Sequence, residues 1–310
     1  MNKNMKWEKL VQIDEQWVSD HLTRQHNAED AKIKIRGYSI KFSGNILDFN
    51  AISTFVAESI HKFVYSPGKI KELGEIKALM QAQKYFGKKN PDTDGKYGEL
   101  LLFLLVESVL KCPMVAHKIT TLSNTRDQVK GGDGIFLGDY EYQAGKYHPA
   151  CLIGESKIMD GFAASVDDAL DSLDRFHNER SSPQFSVTEF MVAKQSLSGD
   201  FDIDYVYDCL TPGSEAFQKN ILVHPVFLMY NTSGIDTIEK EALTQIMAEE
   251  LIKEYFIKRG NEHFRLIQDK IMKWENLQKV YLDFFIIPVN NVRKFRNTVY
   301  YQIHGVQYEG

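Results

Sequence analysis

Cysteine is scarce, and its pattern excludes two kinds of chemistry. Cys112, Cys151 and Cys209 stand far apart and odd in number, without the short paired spacing of a zinc site or a redox motif, and a reducing compartment suits them best. The nine histidines form no HxH or HExxH pattern, which leaves a histidine-built zinc centre without support. No stretch approaches the roughly 18 apolar residues of a membrane span, and the opening MNKNMKWEKLVQIDEQW is polar where a secretory signal needs an apolar run. A soluble, cytoplasmic protein with no membrane partner is the expectation. A GxxxxGKS/T loop is also missing, so the chain lacks that device for using ATP. Nor is positive charge in excess: 37 basic residues face 42 acidic ones, a formal charge of −5. A surface that grips a polyanion unaided is normally basic, so any such attraction here must be local or supplied by a partner.

What is present is enough apolar residue for a full core: 43% of the 310 residues are hydrophobic and 12% aromatic. Alternation in KIKIRGYSIKFSG, Lys32 to Gly44, predicts one or two strands with a bend at Gly37. Asp48 to Tyr65 and Lys69 to Phe86 have helical spacing, and GKKNPDTDGKYG then makes the best boundary in the chain. Residues 1–90 are therefore expected to form an N-terminal strand-helix extension and residues 91–310 the main domain. Within the latter, GELLLFLLVESVL (Gly98 to Leu110) is apolar nearly all round, as a buried helix would be. Short runs suited to buried strands follow at PMVAHKITT, GGDGIFLG, ACLIGESKI, ILVHPVFLMYN and VYLDFFIIPVN. A helix over SVDDALDSLDRF and a long helical region from about Asp236 to Trp274 separate them. The alternation predicts an α/β fold, a mixed central sheet flanked by helices.

One segment pair carries chemistry. On a strand through ACLIGESKI, Glu155 and Lys157 project to one face and Ser156 to the other. Asp133, in GGDGIFLG, begins the preceding strand, and a hairpin through DYEYQAGKYH returns the chain beside it. Two carboxylates and an ammonium then converge, a set that suits Mg²⁺ or Mn²⁺ with open positions for water and phosphate oxygens. A divalent ion can activate water against a phosphodiester, and a nearby ammonium can balance charge that develops in the transition state. Taken singly, GGDG is also ordinary turn chemistry, and Glu155 with Lys157 also suits a solvated pair on a strand edge.

The order of these elements resembles the D…ExK core of the PD-(D/E)xK nuclease superfamily, with a restriction-endonuclease-like sheet. In that resemblance Asp133, Glu155 and Lys157 are the catalytic residues, and Glu99 matches the helical acidic residue that assists metal binding. The proline of the superfamily's name is absent, since Gly132 precedes Asp133. The same segments, over roughly residues 60 to 305, are similar to the HamA family, the nuclease subunits of Hachiman anti-phage systems. That similarity implies cleavage of DNA with little sequence preference, and a stable complex with the superfamily 2 helicase HamB, which restrains and activates the nuclease. Two alternatives stay open: a site-specific restriction or repair endonuclease, which would need a base-reading module, and a non-enzymatic regulatory subunit of a helicase.

Two further stretches have a double meaning. Arg293, Lys294 and Arg296 flank Phe295, a grouping that can track DNA phosphates while an aromatic stacks on a base, or can be a solvated helix face. Lys84, Lys88, Lys89 and Lys96 around the polar loop have the same two meanings. The stripe Ile238, Ala242, Leu243, Ile246, Met247, Leu251 and Tyr255 has the spacing of a packed face, with a helicase-docking surface as the alternative.

Overall fold

The computed structural model describes residues 6–116, 133–180, 202–211 and 213–309. Its frame is a seven-stranded mixed sheet in the order β1-β2-β9-β8-β7-β6-β5. The strands are β1 (Leu22–Asp30), β2 (Ile33–Ile40), β5 (Met114–Ala116), β6 (Gly134–Gln143), β7 (Lys146–Met159), β8 (Ile221–Asn231) and β9 (Tyr281–Val289). A small hairpin of β3 (Phe42–Ser43) and β4 (Ile46–Leu47) stands apart. β2, β9, β8 and β7 run parallel, while β1 at one edge and β6 and β5 at the other are antiparallel to their neighbours. The continuous apolar runs at 221–231 and 281–289 are buried on both faces, as central parallel strands must be.

Helices cover both faces. On one side lie α1 (Gln16–His21), α2 (Phe49–Glu58), α3 (Ile60–Val64), α4 (Pro67–Leu73), α5 (Glu75–Phe86) and α6 (Lys96–Leu105). On the other, α7 (Phe162–Arg180) packs on β7 and β8. The rest of the described chain adds α8 (Ile203–Leu210), α9 (Glu215–Lys219), α10 (Ser233–Glu241), α11 (Gln245–Ile271) and α12 (Val292–His304). The larger core joins α2, α3, α6 and α12 to the sheet, and a second, built on Val166, Leu170, Val226, Leu228 and Phe284, joins α7 and the end of α11 to the opposite face. No helix among the described residues is long and apolar enough to cross a membrane. The three cysteines are buried and form no disulfide.

Several expected elements are divided or extended. The Asp48 to Tyr65 helix breaks at Ser59, and the Lys69 to Phe86 helix breaks at Gly74, where φ is 81°. The long region from Asp236 becomes α10 and α11, because Thr244 caps a new helix by accepting from the Met247 N–H. β2 is one strand across Gly37. The strand continues through it while β1 shifts register opposite, between Arg24 and His26, and a Cβ at Gly37 would come within 2.7 Å of the Phe256 ring, so the glycine serves close packing. β1, which the sequence pattern did not suggest, extends the sheet through the N-terminal region, and β2 pairs directly with β9. The apolar run after residue 98 is α-helical to Leu105 and then widens into a π turn, Val106–Leu110. Within that turn the buried Glu107 accepts from the Gln12 and Met114 N–H groups, and burial pushes its carboxyl up to about 7 despite those bonds. Of PMVAHKITT, residues 114–116 form the strand and residues beyond 116 lie outside the described ones.

Candidate active site

β6 and β7 form the antiparallel hairpin that the DYEYQAGKYH loop implies, in the register Gly134↔Gly154. Asp133 stands one residue before the paired stretch, and its N–H donates to the Gly154 carbonyl at 2.7 Å, which sets its backbone beside the residue that precedes Glu155. Asp133 is held by more than its backbone. Its Oδ2 accepts from both the Ser156 N–H (2.7 Å) and the Ser156 hydroxyl (2.5 Å). Ser156 thus fixes the carboxylate that the sequence pattern singled out, although it points to the face opposite Glu155 and Lys157.

That opposite face is closed by α6. A Cβ added at Gly98 would come within 2.8 Å of the Ser156 Oγ and 3.2 Å of its Cβ, so only glycine lets the helix seat against the serine that holds Asp133. Alanine normally gains about 1 kcal/mol over glycine in a helix. Overpacking costs roughly 1–3 kcal/mol, and here it would displace a hydrogen-bonded side chain. Gly98→Ala is therefore expected to lower the urea midpoint rather than raise it. An unchanged or higher midpoint would mean that Ser156 yields freely.

On the face toward α7, Glu155 is buried and Lys157 partly so. The Lys157 ammonium lies 3.0 Å from the Glu155 Oε1 and 2.7 Å from the Asp168 Oδ2 on α7. Ser172, one helical turn beyond Asp168, also acts on Glu155 and lowers its proton affinity. Burial first, and then the like charge of Asp133, push the Glu155 carboxyl up to about 7, against the opposing pull of Lys157. For Lys157, burial opposes the charge, but Glu155 and Asp168 outweigh it and hold the ammonium above its ordinary proton affinity. A buried carboxyl whose proton affinity is raised by burial and by a neighbouring carboxylate is a site a divalent cation would relieve, and Mg²⁺ typically takes one or two protein carboxylates together with waters and substrate phosphates. The pair fits such an ion. Among the described residues no group of three or more His, Cys, Asp or Glu side chains is gathered closely enough to hold a metal. Glu99, in the first turn of α6, therefore does not complete a three-carboxylate cluster with Asp133 and Glu155.

The other expected site residues are spread out. Arg293 is largely exposed at the start of α12, its Nε 2.7 Å from the Asp92 Oδ2, and the Lys294 Nζ lies 5.8 Å above the Phe49 ring. Arg296 turns inward and donates to the carbonyls of Asp92 and Ile158. Phe295 is fully buried against Phe49 and presents no ring to solvent. Lys96 binds Asp94 and the Phe86 carbonyl. In the stripe along α10 and α11, Ile238 and Ala242 are core, while Leu243 and Ile246 are exposed.

Ser156, Asp168 and Ser172 were not singled out by sequence. The i, i+4 spacing of Asp168 and Ser172 on one edge of α7 was a usable signal, but Asp167 was an equal candidate, and it pairs with Lys270 instead. A family model described as HamA matches residues 12–303. The match begins well before residue 60 and takes in β1 and β2. No curated protein matches the chain.

Proposed function

The chain belongs to the HamA family and so to the Hachiman defence system, and on that premise we propose that it is a metal-dependent endonuclease that hydrolyses DNA with little regard for sequence. The observation that carries this is Asp133 bonded to the backbone of Gly154 beside Glu155, near enough for its charge to act on that carboxyl, with Lys157 bound to Glu155 on the same strand face. These residues match the donor set of a PD-(D/E)xK site, in which Asp133 and Glu155 would hold Mg²⁺ or Mn²⁺. The ion, when bound, supplies Lewis acidity at the phosphoryl oxygen and a more acidic water. Ser156 keeps Asp133 in one orientation, so the carboxylate does not have to be ordered when substrate arrives. Lys157 offers a fixed positive charge beside Glu155, where negative charge builds on the phosphoryl group in the transition state. Asp168 holds the ammonium at the other side and keeps it from collapsing fully onto Glu155.

A nuclease without sequence preference needs a gate. The chain has no GxxxxGKS/T loop and a formal charge of −5, which supports control and DNA delivery by a cytoplasmic partner, a superfamily 2 helicase of the HamB type in stable complex with it. The complex would withhold Asp133, Glu155 and Lys157 from DNA until ATP-driven movement releases them.

The test is incubation of the purified chain, with and without the helicase, on plasmid DNA plus Mg²⁺, with and without ATP. Nicks with scattered ends that EDTA prevents are the expected result. Cleavage that persists in EDTA, or none under any condition, would overturn the assignment of chemistry. Separate elution of the two proteins on size exclusion, or equal degradation with and without ATP, would overturn the model of control.

A further inference from the structure

At the start of α12 an open cleft of about 530 Å³ is lined by Asn50, Asn291, Arg293, Lys294, Tyr301 and Tyr308 among others. None of its nine described lining residues is acidic, on a chain whose formal charge is −5. Two cations flank the opening, Lys294 and Arg293, the latter 76% exposed but with its Nε bound to Asp92 just outside the lining, and the first turn of a 13-residue helix adds its own positive end. Asn291 caps that helix, its side chain accepting from the Lys294 N–H. Tyr301 is 48% exposed and offers a ring face at the cleft. Cations, amides and an open aromatic together are the fittings for a phosphodiester strand whose bases are free to stack.

The cleft is fastened to the strand that carries Glu155 and Lys157. The Arg296 Nη2 donates to the carbonyl of Ile158, the residue after Lys157, at 2.9 Å. The Asn231 Oδ1 accepts from the Val292 N–H and its Nδ2 donates to the Asp160 Oδ1, both at 2.7 Å. α12 lies on the face of the sheet opposite Glu155, so the two sites share the carboxyl end of β7 and β8 but approach it from different sides.

We propose that this cleft binds a single strand of nucleic acid, with Arg293 and Lys294 on backbone phosphates and Tyr301 against a base, and that the strand crosses the carboxyl edge of the sheet toward Asp133 and Glu155. The substrate class rests on the nuclease function proposed above; the cleft itself does not. A single strand fits better than a duplex, because a duplex keeps its bases stacked on one another and has none to give to Tyr301.

The test uses the full chain in EDTA, a fluorescent dodecamer of thymidylate, the same length of duplex, and inorganic phosphate as competitor. Wild type is expected to bind the single strand more tightly than the duplex, and phosphate to compete only weakly. Arg293→Gln with Lys294→Gln should weaken single-strand binding about tenfold or more and flatten the salt dependence by about 1.4 in log–log slope, two contacts at roughly 0.7 each. Tyr301→Ala should weaken the single strand by about five- to 150-fold without changing that slope. Lys273→Gln, an exposed cation elsewhere, should change nothing. Unaltered binding by both cleft variants, duplex binding equal to or tighter than single-strand binding, or no binding by wild type would overturn the proposal. If the cleft variants lose binding while wild type never cuts DNA, the catalytic assignment fails and the cleft stands. If wild type cuts and the cleft variants bind and cut as it does, the reverse holds.

Discussion

Glu155→Gln is expected to reduce DNA cleavage by about 10²–10⁴-fold while the protein stays folded, and Lys157→Ala should do the same. The two halves of this expectation come from the same geometry. Glu155 is buried, faces the like charge of Asp133, and has its carboxyl pushed up to about 7 from 4.5. An acid whose folded pKa is raised binds its proton more tightly in the native state, so its contribution to stability is present at low pH and is lost as pH rises from about 4.5 through about 7. Above pH 7 the wild-type carboxylate is therefore a burden on the fold, and glutamine removes it, while Lys157 keeps Asp168 at 2.7 Å. At pH 8 the glutamine variant should melt no lower than wild type. If Glu155 holds the proposed ion, proton and metal compete for the same oxygens, so Mg²⁺ affinity measured by calorimetry should rise with pH through about 7 in wild type and lose that dependence in the variant. A well-folded Glu155→Gln or Lys157→Ala protein that still cuts DNA would remove these residues from the catalytic centre.

The elements that were legible in the sequence are those whose pattern is set by burial on all sides. The runs 221–231 and 281–289 have only one environment available, the middle of a covered parallel sheet. β1 was not legible, because LTRQHNAED is an edge strand with only Leu22 buried, and its polar alternation resembles a loop. Helix breaks were missed where a single residue decides them: Ser59, Gly74 and Thr244 interrupt periodicities that continue on both sides. At the candidate site, Glu155 and Lys157 share a face because a strand has period two, a local rule. Ser156 binding Asp133 depends on how β6 registers with β7, and no local rule supplies that. Phe295 could have been read correctly, since Val292, Phe295, Val299 and Ile303 are spaced as one buried helical stripe. The neighbouring cations drew attention to a different pattern in the same residues.

Asp283→Asn is expected to cost about 3–5 kcal/mol, the largest effect on stability of any single change considered. Asp283 on β9 is fully buried, and its two oxygens take the Arg36 Nε and Nη2 of β2 at 2.8 and 2.9 Å. The Tyr140 hydroxyl of β6 donates to Oδ2 at 3.0 Å, and the Lys34 Nζ donates to the Glu141 carbonyl, so the far end of the β6–β7 hairpin closes onto β2 and β9. Burial works against the charge on Arg36, and Asp283 more than reverses it, leaving the guanidinium firmly protonated. Asparagine keeps the shape but removes the charge, which strands a buried cation that cannot neutralise itself. Against a typical total stability of about 5–15 kcal/mol, such a loss leaves little margin. Replacing both partners, with Arg36→Met and Asp283→Leu, should recover much of it, because the cost lies in the unpaired charge and not in the absence of the pair. Urea denaturation of the two single variants and the double closes the cycle. A midpoint for Asp283→Asn close to that of wild type would mean that water reaches Arg36 and that the N-terminal strand is not tied to β9 through this pair. A double variant as unstable as the single would assign the loss to packing and not to charge.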